Sequence, residues 1–277
     1  MSYYDSQRRS RQRLYFPGII SLSHVINMPH LPKSLQKIEN YARSFSHLEW
    51  APLLALLLAA CLTWGFIELA DEVSEGETAS LDEQILLAMR NPANLNDPIG
   101  PEIAEEIGRD LTALGGIAIL GLLTVSTVVF LFLLPMPRAA IYVALATTGA
   151  VGISLVMKSA FARQRPDLVS HGSHVYTSSF PSGHSMMAAA VYLTLGMLLA
   201  RMLAKRRLQI LVVSIAVLLT VGVGVSRVYL GVHWPTDVIG GWAVGGAWAL
   251  VCWYLAGWLQ SRGQLEREVE VQKKTTE

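Results

Sequence analysis

Three short stretches hold the residue types that could do chemistry on a phosphate. The first is Lys158-Ser-Ala-Phe-Ala-Arg-Gln-Arg165-Pro166, the second Phe180-Pro-Ser-Gly-His184-Ser, the third Ser226-Arg227 followed by His233 and Asp237. A carboxylate four residues beyond an imidazole can accept its Nδ1–H. That fixes the tautomer and leaves Nε2 free as base, nucleophile or ligand. A Pro181-Ser182-Gly183 step feeding a helix start leaves backbone N–H groups free, with the positive end of the helix dipole behind them, and such a pocket suits a phosphate. Lys158, Arg165 and Arg227 add three cations, which together call for a compact, multiply charged anion. Two histidines, His184 and His233, allow one to attack while the other donates a proton. Taken singly, each residue also has a plain reading: Lys158 and Arg227 as snorkelling helix-end cations, His184 as an interfacial polar residue.

These stretches need a scaffold that brings them together, and the composition says which kind. Of 277 residues only 16% are charged, against about 25% in an average soluble protein, while 52% are hydrophobic. The apolar residues form six runs, approximately 50–70, 112–134, 139–157, 184–203, 208–225 and 238–259. Each is near the roughly 20 residues that cross a bilayer as a helix. The expected fold is therefore all-α, a polytopic membrane protein with six transmembrane helices. The expected division is a cytoplasmic extension with an interfacial helix (1–49), a transmembrane domain (50–259) and a cytoplasmic tail (260–277). The three chemical stretches fall at the ends of runs three to six.

Orientation follows from the distribution of Lys and Arg, not from the net charge of +1. The N-terminus, the turn at Arg138, the loop after run four and the tail contain 7, 1, 4 and 4, and the alternate loops 2, 3 and 1. Both termini are expected in the cytoplasm and the chemical stretches on the outer face. The absence of any Asn-x-Ser/Thr sequon leans towards a bacterial membrane. Cys61 and Cys252 lie inside runs and read as packing residues, with no disulfide or zinc spacing.

The connecting segments give further expectations. Leu35, Ile38, Tyr41, Phe45 and Leu48 fall at helical spacing, as in a helix lying on the membrane. The acidic segment 71–111 opens with Ser80-Leu-Asp-Glu83, a capping-box pattern that predicts a surface helix, then a turn-rich piece, then a helix entering span two. Asp110 reads as a helix-start carboxylate. Gly241-x-x-x-Gly245 has the spacing of a close helix contact. Trp242, Trp248, Trp253 and Trp258 read as lipid-facing or interfacial anchors. His171 and His174 read as solvent-exposed loop residues, and Arg163 as a contact for a headgroup.

The three stretches together resemble the type 2 phosphatidic acid phosphatase superfamily, which shares its helical core with vanadium haloperoxidases. Its pattern is Lys-x6-Arg-Pro, Pro-Ser-Gly-His, then Ser-Arg-x5-His-x3-Asp. Lys158 with Arg165-Pro166, Pro181 to His184, and Ser226-Arg227 with His233 and Asp237 match it in order and spacing. The resemblance covers about 112–259. It implies a membrane lipid phosphatase with His233 as the nucleophile that becomes phosphohistidine, Asp237 orienting it, and His184 as general acid. Lys158, Arg165, Arg227, Ser182 and Gly183 would cradle the phosphate, with no metal or other cofactor. The implied partners are a lipid phosphate and the bilayer, not nucleic acid. Undecaprenyl diphosphate, phosphatidylglycerol phosphate and phosphatidate all fit, with undecaprenyl diphosphate preferred because an outward site suits lipid-carrier recycling. The alternatives are a lipid phosphotransferase and, less favoured, a transporter of phosphorylated solutes. The transporter would place its charges near the membrane midplane.

Overall fold

The computed structural model describes residues 50–167 and 178–265. The expected interfacial helix before Trp50, His171 and His174, and the end of the tail lie outside the described residues. Among those described, the regular structure is helical except for one small hairpin. The helices are α1 (Trp50–Glu75), α2 (Ala79–Ala88), α3 (Glu102–Leu114), α4 (Ile117–Leu133), α5 (Pro137–Ala160), α6 (Gly183–Met202), α7 (Arg206–Tyr229) and α8 (Pro235–Ser261). Five are long and apolar enough to span a membrane, and α3 and α4 pass the same test together as a pair bent by 48°. This is the polytopic all-α architecture that the composition predicts.

The packing is that of a membrane bundle. Large apolar side chains point outward: Leu54, Leu57, Trp64, Leu122, Leu145, Leu155 and Leu218 are all exposed. Small residues line the inside, among them Ala140, Ala150, Ala188, Ala189 and Ala249. Where lipid is as apolar as leucine, helices associate by close approach, and small residues permit it. The seam between α6 and α8 is the clearest case. A Cβ on Gly245 would lie 2.3 Å from the Met186 carbonyl oxygen, and one on Gly241 would lie 2.7 Å from that of Ser182. The Gly241-x-x-x-Gly245 spacing is thus a helix contact. Just beyond, α6 passes through one π-helical turn, Ala189–Leu193.

Several local expectations change. Span two begins earlier than residue 112, and Asp110 lies exposed late in α3 instead of at a helix start. The bend falls at Gly115-Gly116, where Gly116 is extended and a Cβ on Gly115 would lie 2.4 Å from Val223. Gly115 thus lets the α3–α4 junction press against α7 and the first turn of α6. The turn-rich piece is an antiparallel hairpin, β1 (Arg90–Asn91) with β2 (Asn94–Pro98). The surface helix forms, but Ser80 does not cap it. Thr78 precedes α2, and the Ser80 hydroxyl accepts from Gln84 at 3.0 Å.

Three of the four tryptophans are not lipid anchors. The Trp242 indole donates to the Thr220 carbonyl (3.1 Å) and Trp248 to that of Ala146 (2.9 Å), while the Arg201 guanidinium stacks over Trp253 at 4.4 Å. Gly224 and Gly149 provide the room, since a Cβ on either would strike the indole. Helix-helix contact outcompetes the interface for Trp242 and Trp248 because each of their indole N–H groups finds a carbonyl inside the bundle, while Trp253 is covered by Arg201. Trp258 alone of the four is exposed.

Candidate active site

Four helix ends, those of α5 and α7 and the starts of α6 and α8, meet at one end of the bundle. The loop before α6 is held by a cluster of aromatic rings. Phe180 stacks on Phe66 of α1 with centroids 5.6 Å apart and meets Phe161 edge-on at 4.9 Å. The Phe180–Pro181 peptide is cis. The loop then enters α6 through Ser182, which is the N-cap. Its Oγ accepts from the Ser185 N–H (3.4 Å) and hydroxyl (2.9 Å), and its own N–H donates to the Asp237 carbonyl at 2.9 Å. The first turns of α6 and α8 are therefore tied directly together. Ser182 is fully buried and its hydroxyl is turned into the cap, so in this arrangement it orients the Gly183 and His184 backbone instead of facing open space.

The last turn of α5 brings Lys158 to the same place. A Cβ on Gly183 would lie 3.0 Å from Lys158 Cε and 3.6 Å from Nζ, so the ammonium sits over the helix start only because residue 183 has no side chain. Lys158 Nζ also donates to the Ser178 carbonyl at 3.3 Å. After α5 the chain runs without regular structure and delivers Arg165, whose Nη1 donates to the Val232 carbonyl at 2.9 Å. Arg227, in the last turn of α7, donates from Nη1 to Thr112 Oγ1 of α3 at 2.8 Å. Its buried Nε has no hydrogen-bond partner among the described residues. His184 lies within electrostatic reach of Arg227, His233, Lys158 and Arg165.

His233 is at the centre and almost wholly buried. Asp237 Oδ2 lies 3.1 Å from its Nδ1, and Arg165 Nη1 lies 3.1 Å from its Nε2. A guanidinium nitrogen can only donate, so Nε2 must carry a lone pair and the ring proton sits on Nδ1, facing the carboxylate. The two neighbours thus select one tautomer between them. Burial pushes the imidazole down to about 4, with Arg165 and Arg227 adding to that and Asp237 opposing it. At neutral pH the ring is uncharged. Burial also lowers Arg165, against the pull of Asp237, without removing its charge.

All the residues singled out by sequence (Lys158, Arg165, Ser182, Gly183, His184, Arg227, His233 and Asp237) are brought to this end of the bundle. Five further residues join them: Ser179, Arg163, Thr236, Asp82 and Thr112. Ser179, fully buried, donates to Asp237 Oδ2, and its Oγ lies 3.3 Å from His233 Nδ1. Arg163 does not face outward to a headgroup. Its Nη1 donates to Asp237 Oδ1 (2.7 Å) and Thr236 Oγ1 (2.7 Å), and its Nη2 to Asp82 Oδ2 (2.6 Å). Asp82 and Thr112 come from α2 and α3, far from the motifs in sequence, and nothing in their spacing marks them. Arg163 and Ser179 had one available sign: each lies two residues from a motif position, Arg165 or Pro181.

Comparison with known proteins adds to this geometry. Phosphatidylglycerophosphatase B of Bacillus subtilis strain 168 is 43% identical over 96 residues, which are 34% of this chain and 46% of that protein. An undecaprenyl-diphosphatase of Sulfolobus acidocaldarius is 36% identical over 89 residues, 32% of this chain and 37% of that one. The alignments thus span less than half of the length of these relatives. The crystal structure of a transmembrane PAP2 type phosphatidylglycerolphosphate phosphatase from Bacillus subtilis has the same fold. Its TM-score is 0.62, at 29% identity, covering 73% of this chain and 96% of that one. Residues 139–261, from the start of α5 to the end of α8, match the PAP2 superfamily and contain every motif position.

Proposed function

We propose that the chain is an integral membrane lipid phosphatase that removes the terminal phosphate of a lipid phosphate or diphosphate. The observation that carries this reading is the environment of His233. Its Nδ1–H is held by Asp237 and its Nε2 lone pair is aimed at Arg165, beside Lys158 and the start of α6. An incoming phosphate offers Arg165 a better acceptor than the imidazole, and transfer of that N–H to a phosphate oxygen frees the Nε2 lone pair. Nε2 then attacks phosphorus and the bond to the lipid oxygen breaks. His184 gives that oxygen a proton, while Asp237 stabilises the charge developing on the ring. In the second step His184 takes a proton from water as it attacks the phosphohistidine, releasing phosphate and restoring His233. Lys158, Arg165, Arg227 and the Gly183 N–H offset charge on the transferring group, the main demand of phosphoryl transfer. Ser182 contributes by setting the orientation of that N–H.

The reading includes a place: residues 50–259 as the phosphatase domain in a bacterial cytoplasmic membrane, both termini cytoplasmic and the site outward. Undecaprenyl diphosphate is the favoured substrate, with phosphatidylglycerol phosphate and phosphatidate as competitors. The test is a panel of these three lipids with detergent-solubilised protein, assayed for free phosphate. Release should be abolished in His233→Ala, inhibited by vanadate and unchanged in excess chelator. Equal release by His233→Ala would overturn the reading, and phosphate appearing only on a second lipid would replace it with a phosphotransferase.

A further inference from the structure

Asp237 shares its charge with more than His233. Its Oδ2 faces the imidazole and accepts from Ser179 and from the Trp234 N–H (2.9 Å), while Oδ1 is held by Arg163 at 2.7 Å. A guanidinium that close, with its side chain only 15% exposed, would by itself neutralise the carboxylate and weaken it as acceptor for the imidazole proton. Asp82 prevents this. It is fully buried on the first turn of α2, and its Oδ2 takes the other arm of Arg163 at 2.6 Å. Its Oδ1 accepts from the Thr236 N–H (2.9 Å) and its Oδ2 from the Thr236 hydroxyl (2.6 Å). Two carboxylates thus flank one guanidinium, and the group keeps one net negative charge. The planar fork of arginine is what allows one cation to hold both acids.

We infer that Asp82 and Arg163 are positioning residues for the proposed phosphoryl transfer: Arg163 fixes the Asp237 carboxylate, and Asp82 compensates Arg163 so that Asp237 stays anionic towards His233. The inference rests on the reading of His233 as nucleophile and extends the site to a helix outside the motif-bearing segment. The other charged or titratable groups around His233 are Arg165 after α5, Arg227 on α7, His184 on α6 and, near them, Lys158 on α5. A substitution at Asp82 replaces none of the four.

The test uses full-length protein in detergent and two readouts. One is the downfield proton resonance of the His233 Nδ1–H at neutral pH, assigned by its loss in His233→Gln. The other is steady-state phosphate release. In Asp82→Asn, Arg163 pairs with Asp237 alone, so the resonance should move upfield. The kcat should fall roughly tenfold with KM within about twofold, the equivalent of about one unit of imidazole basicity. In Asp82→Asn with Arg163→Met, the guanidinium and its compensating charge are both gone. The resonance should then return to its wild-type position, while kcat recovers only in part, because Asp237 Oδ1 has lost the arginine that fixes it. A role confined to anchoring α2 would instead make the double variant no better than the single one. Glu83→Gln, an exposed neighbour on α2, should change neither readout. Where Asp82→Asn alone does not purify, the double variant still decides: a wild-type resonance supports the coupling and an upfield one overturns it. If wild-type protein turns over and Asp82→Asn matches it in both readouts, the coupling fails alone. If no lipid is hydrolysed but the resonance moves as described, the phosphatase reading fails and the coupling stands.

Discussion

Adjacent glycines on α8 should respond in opposite ways to the same added methyl group. A Cβ on Gly245 would lie 2.3 Å from the Met186 carbonyl oxygen, 2.7 Å from Ala189 Cβ and 3.1 Å from the Ala190 nitrogen. These are backbone atoms or a Cβ, so no rotamer relieves the clash, and α8 must retreat from α6 by about 1 Å to reach ordinary contact. Overpacking of that kind costs about 1–3 kcal/mol. The retreat also lengthens the Ser182 N–H to Asp237 carbonyl bond, now 2.9 Å, whose loss costs about 1 kcal/mol. The helix-forming gain of alanine over glycine returns at most about 1 kcal/mol. The net loss in Gly245→Ala is about 1–3 kcal/mol. Because the broken bond joins the helix carrying Asp237 to the start of the helix carrying His184, phosphate release should fall by more than about tenfold. Gly246→Ala is the control: its Cβ meets only Leu62 Cδ1 at 3.4 Å, so it should match or exceed wild type in stability and keep its activity. The assays are thermal unfolding in detergent, read as a drop of roughly 5 °C for Gly245→Ala, and phosphate release at saturating lipid. A Gly245→Ala protein as stable and as active as Gly246→Ala would refute the claim that backbone contact at this seam sets the site.

Three other outcomes follow from the same geometry. His233 is held down to about 4 by burial, so kcat/KM should keep its acid limb well below the 6.5 of a free imidazole and collapse only as the pH nears 4. Between those values the unfolded chain takes up a proton that folded His233 refuses, so stability should rise with pH across that window, measurable as an unfolding midpoint. Thr112→Val removes the hydroxyl that accepts from Arg227 and should weaken inhibition by vanadate roughly tenfold without unfolding the protein. An unchanged inhibition constant would mean that Arg227 is oriented by something else. In a Cys61→Ser background, a cysteine at exposed Glu83 should react with an impermeant thiol reagent from outside intact cells. Labelling only after lysis would invert the proposed orientation.

The fold and the site were legible in the sequence to different depths. The runs announced the spans because a lipid-facing helix must be apolar along its length, and Leu54 or Leu218 on the outside contributes to that signal as fully as Ala140 inside. Spacing within one stretch predicted the His233–Asp237 pair because four residues across a tight helix entry leave little freedom. The bend at Gly115-Gly116 did not show, since an apolar run reads the same whether straight or folded over by 48°. The tryptophans misled because an indole suits both an interface and a carbonyl inside the bundle, and only Gly224 and Gly149 across the contact decide between them. Asp82 was hidden for another reason. Among eleven acids in an exposed, polar connection, nothing local distinguishes the one that is folded inward against Arg163.

That inward acid changes what counts as a separable unit. Thr112 and Asp82 both precede residue 139, where the match to the superfamily begins, yet one holds Arg227 and the other balances Arg163. A chimera joined at that border would carry every motif residue and still inherit a guanidinium with half its counterions missing. Swaps between relatives should therefore exchange the outer helices and the α5–α8 segment as one cassette.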